Sequence, residues 1–337
     1  MSMNRNLLQL LADGRCYSGS ELGVKLGVSR AAVWKQINQW IEWGVPIVSE
    51  QSRGYQIPGG LQLLNHAEIQ SALQPEVRSC IQELVLLDSV ASTNDFAKSV
   101  LENAQLSGQF MDLHGCVYLA EAQTQGRGRS GRTWVSPYGQ NIYGSLIWRF
   151  DQGIAQLAGL SLVLGLAVLE TLSELGIQSS LKWPNDVLVE GKKIAGILVE
   201  TFGDALGPFY VIIGVGMNIA LSAEQGAAIE QPWTAIKQVM GENAVPNRNQ
   251  MMGQLLNKII LSMQKFSQQG FTAFQTQWNQ HDAFANQSVT MLMGHETISG
   301  IARGVREDGA LRLQVGDLLR YISGGEMHRA SLRSHQP

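Results

Sequence analysis

Cysteine is scarce. Cys16, Cys80 and Cys116 are the only three in 337 residues, an odd number without paired or metal-like spacing. A disulfide framework is therefore excluded, and a reducing, cytoplasmic setting is expected. The six histidines form no ligand cluster in the sequence, so no structural metal is expected either. Long hydrophobic runs are missing too. The most apolar stretch, LAGLSLVLGLAVL at 157–169, is too short to cross a bilayer and reads as a buried helix, and the N-terminus carries no signal-peptide pattern, so no membrane association is expected. Nor is positive charge in excess: the net charge of -3 excludes a polybasic nucleic-acid coat. The balance is uneven, however. Residues 1–64 hold six Lys and Arg against four Asp and Glu, while the remainder holds 19 against 24, so the front of the chain has the sign a DNA-facing segment needs. What is present is 45% hydrophobic content over a length that suits two or three domains.

The first segment reads LLQLLADGRCYSGSELGVKLGVSRAAVWKQINQWIEWGVPIVSEQSRGYQI. Leu7, Leu8 and Leu11 mark one helix; SGSELGVKLG predicts a second, short one behind an N-cap at Ser20, and Gly27 makes a turn. Ser29 then caps a third helix with Val33, Ile37, Trp40 and Ile41 as its apolar stripe and Arg30, Lys35, Gln36 and Asn38 toward the other side. Gly44 stops it, and VPIVSE and GYQIP form a hairpin. Charge alone does not separate this layout from a small helical interaction module. The short second helix, tight turn and basic start of the third helix together favour a winged helix-turn-helix, with Ser29, Arg30, Lys35, Gln36 and Arg53 as DNA-binding residues. Trp34, beside Lys35, is bulky for such a surface.

PGG at 58–60 and the mixed stretch to Ala67 make a linker. From there to Gln280, the strands ELVLLDSV, CVYLAEA, NIYGSLIWRF, LKWPNDVLVEG, KKIAGILVET and YVIIGVGMNI run in hairpins as well as around helices, which predicts an α+β domain with a mixed sheet. Residues 250–278 return to helix. Beyond His281, SVTMLM, GHETISGIARGV, EDGALRLQV and LLRYIS are short strands between Gly turns and predict a small barrel. The expected division is 1–64, 67–280 and 282–335.

QGRGRSGRTW at 125–134 formally matches a dinucleotide fingerprint, but Pro137, Gly139 and a strand follow where that motif requires a helix, and no P-loop Lys-Ser or Lys-Thr follows. Glycines that let backbone amides approach a ligand, alternating with three Arg forks, suit an anion-binding loop; a basic hairpin tip is the other reading. In KKIAGIL, alternation places Lys193 on one face with Ala195, Ile197 and Val199, where an ammonium needs an anion, whereas Lys192 suits a solvated tip. Ser92, Thr93 and Asn94 read as the N-cap of the helix DFAKSVLEN, and Asp186 as a turn residue after Pro184.

Five stretches, SVASTN at 89–94, GRGRSGRTW at 126–134, KWPND at 182–186, KKIAGIL at 192–198 and GVGMN at 214–218, resemble in order and kind the bacterial biotin–protein ligases. With a winged helix in front, the chain is similar to the two-function members of that family, which also repress the biotin operon. The resemblance covers nearly all 337 residues. It implies a central ligase domain and a C-terminal SH3-like barrel. It also implies the reaction: biotin and ATP give biotinyl-AMP, with Mg²⁺ assisting, and biotin passes to a lysine of the biotin carboxyl carrier protein of acetyl-CoA carboxylase. Operator DNA is a second implied partner, and the adenylate-bound form a homodimer. By the same resemblance Lys193 and Arg129 are catalytic; Arg127, Gly128 and Arg129 lie against the biotin carboxylate and α-phosphate. Ser92, Thr93, Asn94 and Gln123 take the ureido head group, with Gly214 and Gly216 allowing backbone approach. Arg132, Trp134, Lys182, Asn185, Asp186 and Asn218 stand with Arg129 on the nucleotide side, and Trp233 covers adenine. One departure is MHRA between GGE at 324–326 and SLR at 331–333, which are nearly adjacent in the family; the position of Arg333 depends on it.

Overall fold

The computed structural model describes residues 5–50, 53–107, 112–151, 153–204, 208–241 and 245–329. Its first body holds α1 (Arg5–Leu11), α2 (Gly19–Leu26), α3 (Arg30–Glu42) and an antiparallel hairpin of β1 (Val48–Glu50) and β2 (Gly54–Gln56), which is the winged helix-turn-helix order. Two local expectations change. The cap of α2 is Ser18, whose side chain accepts from Glu21 N at 3.1 Å, because the S-x-x-E spacing of a capping box starts there and Ser20 lies inside the helix. Ile41, placed on the apolar stripe of α3, is 44% exposed, and the helix packs through Val33, Ile37 and Trp40 instead. Ser29 caps α3 as expected, accepting from Ala32 N at 3.2 Å.

The core of this body does not stop at the linker. Leu61, Ala122 and Tyr138 belong to it, and the Tyr138 ring meets Trp40 edge-on with centroids 4.9 Å apart. Leu64 N donates to the buried Glu121, which also pairs with the equally buried Arg248; Arg5 reaches Asp88 at 3.0 Å and Glu121 at 3.7 Å. The expected linker is thus strapped to the second body before α4 (His66–Ser71) and α5 (Pro75–Arg78) begin.

The second body contains β3 (Glu83–Leu87), α6 (Thr93–Ser107), β4 (Cys116–Ala120), β5 (Ile142–Phe150), α7 (Leu160–Glu174), β6 (Ser180–Lys182), β7 (Asp186–Val189), β8 (Lys192–Gly203), β9 (Phe209–Met217), α8 (Ile236–Met240), α9 (Arg248–Gln269) and α10 (Gln275–Gln280). The sheet order is β3-β4-β5-β9-β8-β7-β6; β3 and β4 pair in parallel, and the other neighbours antiparallel. Period-two alternation splits the strands between two cores. Val117, Leu119, Leu146 and Trp148 face α7 and α9, whereas Cys116, Tyr118 and Ile147 face Ala97 and Leu101 of α6. The apolar run at 157–169 became α7, which is apolar all round because it is covered all round. Among the described residues no helix is long and apolar enough to cross a membrane.

The third body is an antiparallel sheet of β10 (Ser288–Met293), β11 (Glu296–Val305), β12 (Leu311–Val315), β13 (Leu318–Ile322) and β14 (Glu326–Arg329), in the order β13-β12-β11-β10-β14 and shifted in register between Ala302 and Val305. Four strands were anticipated; β14, with the short polar sequence EMHR, was not. At the joint before it, Asp282 is 9% exposed: Oδ1 accepts from Phe284 N at 2.9 Å, while Oδ2 is buried without a partner. Burial pushes its carboxyl up to about 6. A raised carboxyl pKa means that the folded state holds the proton more tightly, so the associated stability is present near pH 4 and is lost as pH rises through 6. Asp282→Asn is therefore expected to stabilise the chain at pH 7.5 by up to about 3 kcal/mol and to make no difference at pH 4, as read from urea midpoints at the two pH values.

Candidate active site

The β7–β8 hairpin turns through Glu190 and Gly191, both with positive φ (50° and 74°), which is the two-residue turn that suits twisted strands. Just beyond it the register slips: Leu188 pairs with Lys193 but Val187 pairs with Ala195, leaving Ile194 as an extra residue. This bulge overturns the expected alternation. Lys193 lies on the face of Gly196 and Leu198, while Ala195, Ile197 and Val199 turn to the α7 side of the sheet. On its own face Lys193 Nζ stands 2.6 Å from Asp186 Oδ1 and 5.4 Å from the Trp134 ring centre. Lys182 Nζ approaches the other Asp186 oxygen at 3.8 Å; burial lowers the Lys182 pKa and Asp186 opposes the shift.

The Arg loop is itself a small hairpin. Gly128 N donates to Arg132 O at 2.7 Å, Trp134 N donates to Gly126 O at 2.8 Å, and the tip at Ser130 and Gly131 uses positive φ (55° and 74°). Folding back in this way separates the three guanidinium groups. Arg127 binds Asp95 and both oxygens of Glu200, the latter at 3.1 Å. Burial works against its charge, but Glu200 and Asp95 outweigh it and raise its pKa. Arg129 reaches Asn185 Oδ1 at 3.2 Å and Gly325 O at 3.4 Å, and burial lowers its pKa. Arg132 pairs with Glu326.

Two adjoining clefts open on either side of a shared wall made by Gly128, Arg129, Trp134, Asn185 and Lys193. The first cleft is closed by Ser92, Thr93, Asn94, Gln123, Arg127, Gly214 and Gly216. Its polar groups are locked to one another: Gln123 Oε1 accepts from Thr93 N at 2.9 Å, Gln123 Nε2 donates to Ser136, and Asn94 Nδ2 donates to Glu200 at 2.7 Å. Ser145 Oγ lies 2.6 Å from Asn94 Oδ1 and 2.8 Å from Thr93 Oγ1. A Cβ on Gly214 would sit 2.3 Å from Asn94 Oδ1, and one on Gly216 would sit 2.5 Å from the Trp134 indole, so both must be glycine for these side chains to lie against β9. The second cleft is lined by Arg132, Lys182, Asp186, Gln231, Glu326 and His328.

Fifteen of the seventeen ligand-site residues named from sequence come together here. Two do not. Asn218 is 3% exposed and donates to Thr234 O, which holds the 234 segment, and the Trp233 ring packs against Gly226. The DNA-binding set is elsewhere, on α3 and the wing, with Arg53 against Glu50 at 3.4 Å; Arg333 falls outside the described residues. Sequence reasoning missed the partners: Asp95 and Glu200 at Arg127, Glu326 at Arg132, and Ser136 and Ser145 beneath the first cleft. Only Ser145 left a signal, as a hydroxyl within the apolar strand β5.

A winged helix joined to a mixed sheet that carries a cation-lined double cleft, followed by a small antiparallel sheet, defines a class of ligases that can also bind DNA. Residues 87–218 match the biotin/lipoate A/B protein ligase family, residues 4–56 an HTH domain, and residues 284–328 the biotin protein ligase C-terminal domain. The bifunctional ligase/repressor BirA of Escherichia coli (strain K12) is 35% identical over 329 residues, 97% of this chain and 96% of that protein; the one from Bacillus subtilis (strain 168) is 28% identical over 97% of this chain and 98% of its own length. The solved biotin protein ligase from Aquifex aeolicus in complex with biotin and ATP is similar over 74% of this chain and 100% of that one, with a TM-score of 0.61 and 27% identity. The chain belongs to the biotin protein ligase family, among the bifunctional ligase/repressors.

Proposed function

We infer that the chain is an ATP-dependent biotin–protein ligase that also acts as a repressor of the biotin operon under control of biotinyl-AMP. The observation that carries this reading is one wall, Arg129–Trp134–Lys193, shared between a cleft of amide and hydroxyl groups and a cleft of cations. A biotin oxygen attacks the α-phosphorus of ATP, the P–O bond to pyrophosphate breaks, and two anions must approach each other. Arg127 and Arg129 hold the biotin carboxylate and α-phosphate, and Lys193 stabilises the charge developing between them. Ser92, Thr93, Asn94 and Gln123 take the ureido group; Arg132, Trp134, Lys182, Asn185 and Asp186 border the nucleotide. The second half-reaction breaks the carboxyl–phosphate bond as an acceptor lysine forms the amide, and AMP leaves.

Among the described residues no group of three or more His, Cys, Asp or Glu is placed to hold a metal. A Mg²⁺ ion takes one or two carboxylates and completes its shell with phosphate oxygens and water, which fits Asp186 on the wall of the second cleft once ATP is present. Such an ion neutralises phosphate charge.

The acceptor is the carboxyl carrier protein of acetyl-CoA carboxylase, the DNA partner is the biotin operator, and the repressing form is a dimer promoted by adenylate in the cytoplasm. The working boundaries are 1–64, 67–280 and 282–335. Labelled biotin, ATP and an acceptor domain test the ligase, with label on the acceptor expected; footprinting with and without adenylate, alongside sedimentation, tests the switch. Footprints of equal strength without adenylate sink the switch and leave the ligase standing. Arg129→Ala should release bound adenylate roughly ten- to a hundredfold faster, the loss of one charge-assisted contact; an unchanged dissociation rate removes Arg129 from that role.

A further inference from the structure

Trp34 lies on the solvent side of α3 with 60% of its surface exposed, although the helix already has its core contacts in Val33, Ile37 and Trp40. Folding leaves most of this indole in water. Within one turn of it stand Arg30, Ala31, Lys35 and Asn38, and neither Arg30 nor Lys35 has a hydrogen-bond or ion-pair partner among the described residues. An exposed apolar ring between two unpaired cations is complementary to a surface that offers apolar groups between negative charges. Ala31 is small and exposed, so it does not hold the helix off such a surface.

Duplex DNA is that surface, and its major groove narrows the choice of base. Guanine, cytosine and adenine present donors and acceptors there, while thymine also presents its C5-methyl, the one apolar group on the base edges. Residues near the start of the second helix of a helix-turn-helix contact base edges, and Trp34 is the fifth residue of α3, directly behind the Ser29 cap. We propose that Trp34 is a specificity-determining residue that packs its indole on the C5-methyl of a thymine in each operator half-site. Arg30 and Lys35 hold the flanking phosphates. The proposal rests on the repressor reading above and adds the base that is read.

The experiment starts with full-length protein, biotin and ATP, selecting duplexes from random sequence. Each thymine of the enriched half-site is then replaced by deoxyuridine, which removes the methyl and nothing else. Wild-type protein is expected to lose roughly fourfold in affinity per half-site at one thymine, and roughly fifteenfold when both half-sites are changed. Trp34→Ala and Trp34→Gln, with melting transitions like wild type, should show no response to that change and should select duplexes without the thymine. Lys35→Ala should weaken all sequences alike and flatten the salt dependence. If wild type is indifferent to deoxyuridine at every position, or the Trp34 variants keep the same thymine preference, the proposal fails while repression stands. If wild type enriches no sequence, the repressor reading fails and takes the proposal with it.

Discussion

Replacing Lys193 with alanine is expected to slow adenylate formation by roughly two to three orders of magnitude while weakening ATP binding by about tenfold at most. The asymmetry follows from where the ammonium stands. Its Nζ is already held 2.6 Å from Asp186 in a wall common to both clefts, so it is oriented before substrate arrives. A preorganised charge gains most as the carboxylate and α-phosphate begin to share an oxygen, and less when the two anions merely occupy their sites. Single-turnover adenylation and ATP binding, measured separately, distinguish these. Equal losses in both would reduce Lys193 to ground-state binding. Lys192, one residue earlier and exposed, is the control, and its alanine variant should adenylate at the wild-type rate.

Glu121→Ala should produce the largest loss of stability of any single change considered, about 3–5 kcal/mol. Arg248 is 2% exposed and Glu121 fully buried, so the alanine strands a guanidinium with no counter-charge and leaves Leu64 N without its acceptor. A shift in the urea midpoint of the first unfolding transition measures this, and a loss below about 1 kcal/mol would show the pair to be reached by water. The double variant Glu121→Leu with Arg248→Met should recover most of the loss, because a buried pair replaced on both sides leaves no orphan charge. Ala122, in the winged-helix core, precedes Gln123, which lines the first cleft, so the same variant should also weaken biotin binding.

Periodicity made most of this architecture legible. Val33, Ile37 and Trp40 of α3 read directly because they repeat at helical spacing, and the short apolar runs that became β4, β5 and β9 read as buried strands from their length and flanking turns. The Arg-Gly loop was legible as anion chemistry because few other uses combine pliable backbone with three forks. What escaped is non-local. A bulge is set by the pairing of β8 with β7, so alternation counted along KKIAGIL put Lys193 on the wrong face. Asp95, Glu200 and Glu326 stand 32, 73 and 194 positions from their arginines and carry no local mark. The Ser18 cap is legible in the sequence, since Glu21 lies three residues on, whereas Gly23 stands at that spacing from Ser20.

Each cation at the double cleft except Arg129 reaches a carboxylate, and this fixes what the site retains. Arg127, Arg129, Arg132, Lys182 and Lys193 are five positive groups, and Asp95, Asp186, Glu200 and Glu326 are four negative ones, which leaves a formal charge of +1. A mixed anhydride of biotin and AMP carries one negative charge, on its phosphate. The intermediate therefore brings the occupied site to neutrality, whereas ATP and pyrophosphate carry further charge that a Mg²⁺ ion would have to offset. With so small a net charge, nucleic acid finds no strong long-range attraction there, and the DNA-binding face of the same chain does not compete with its own active site for polyanions.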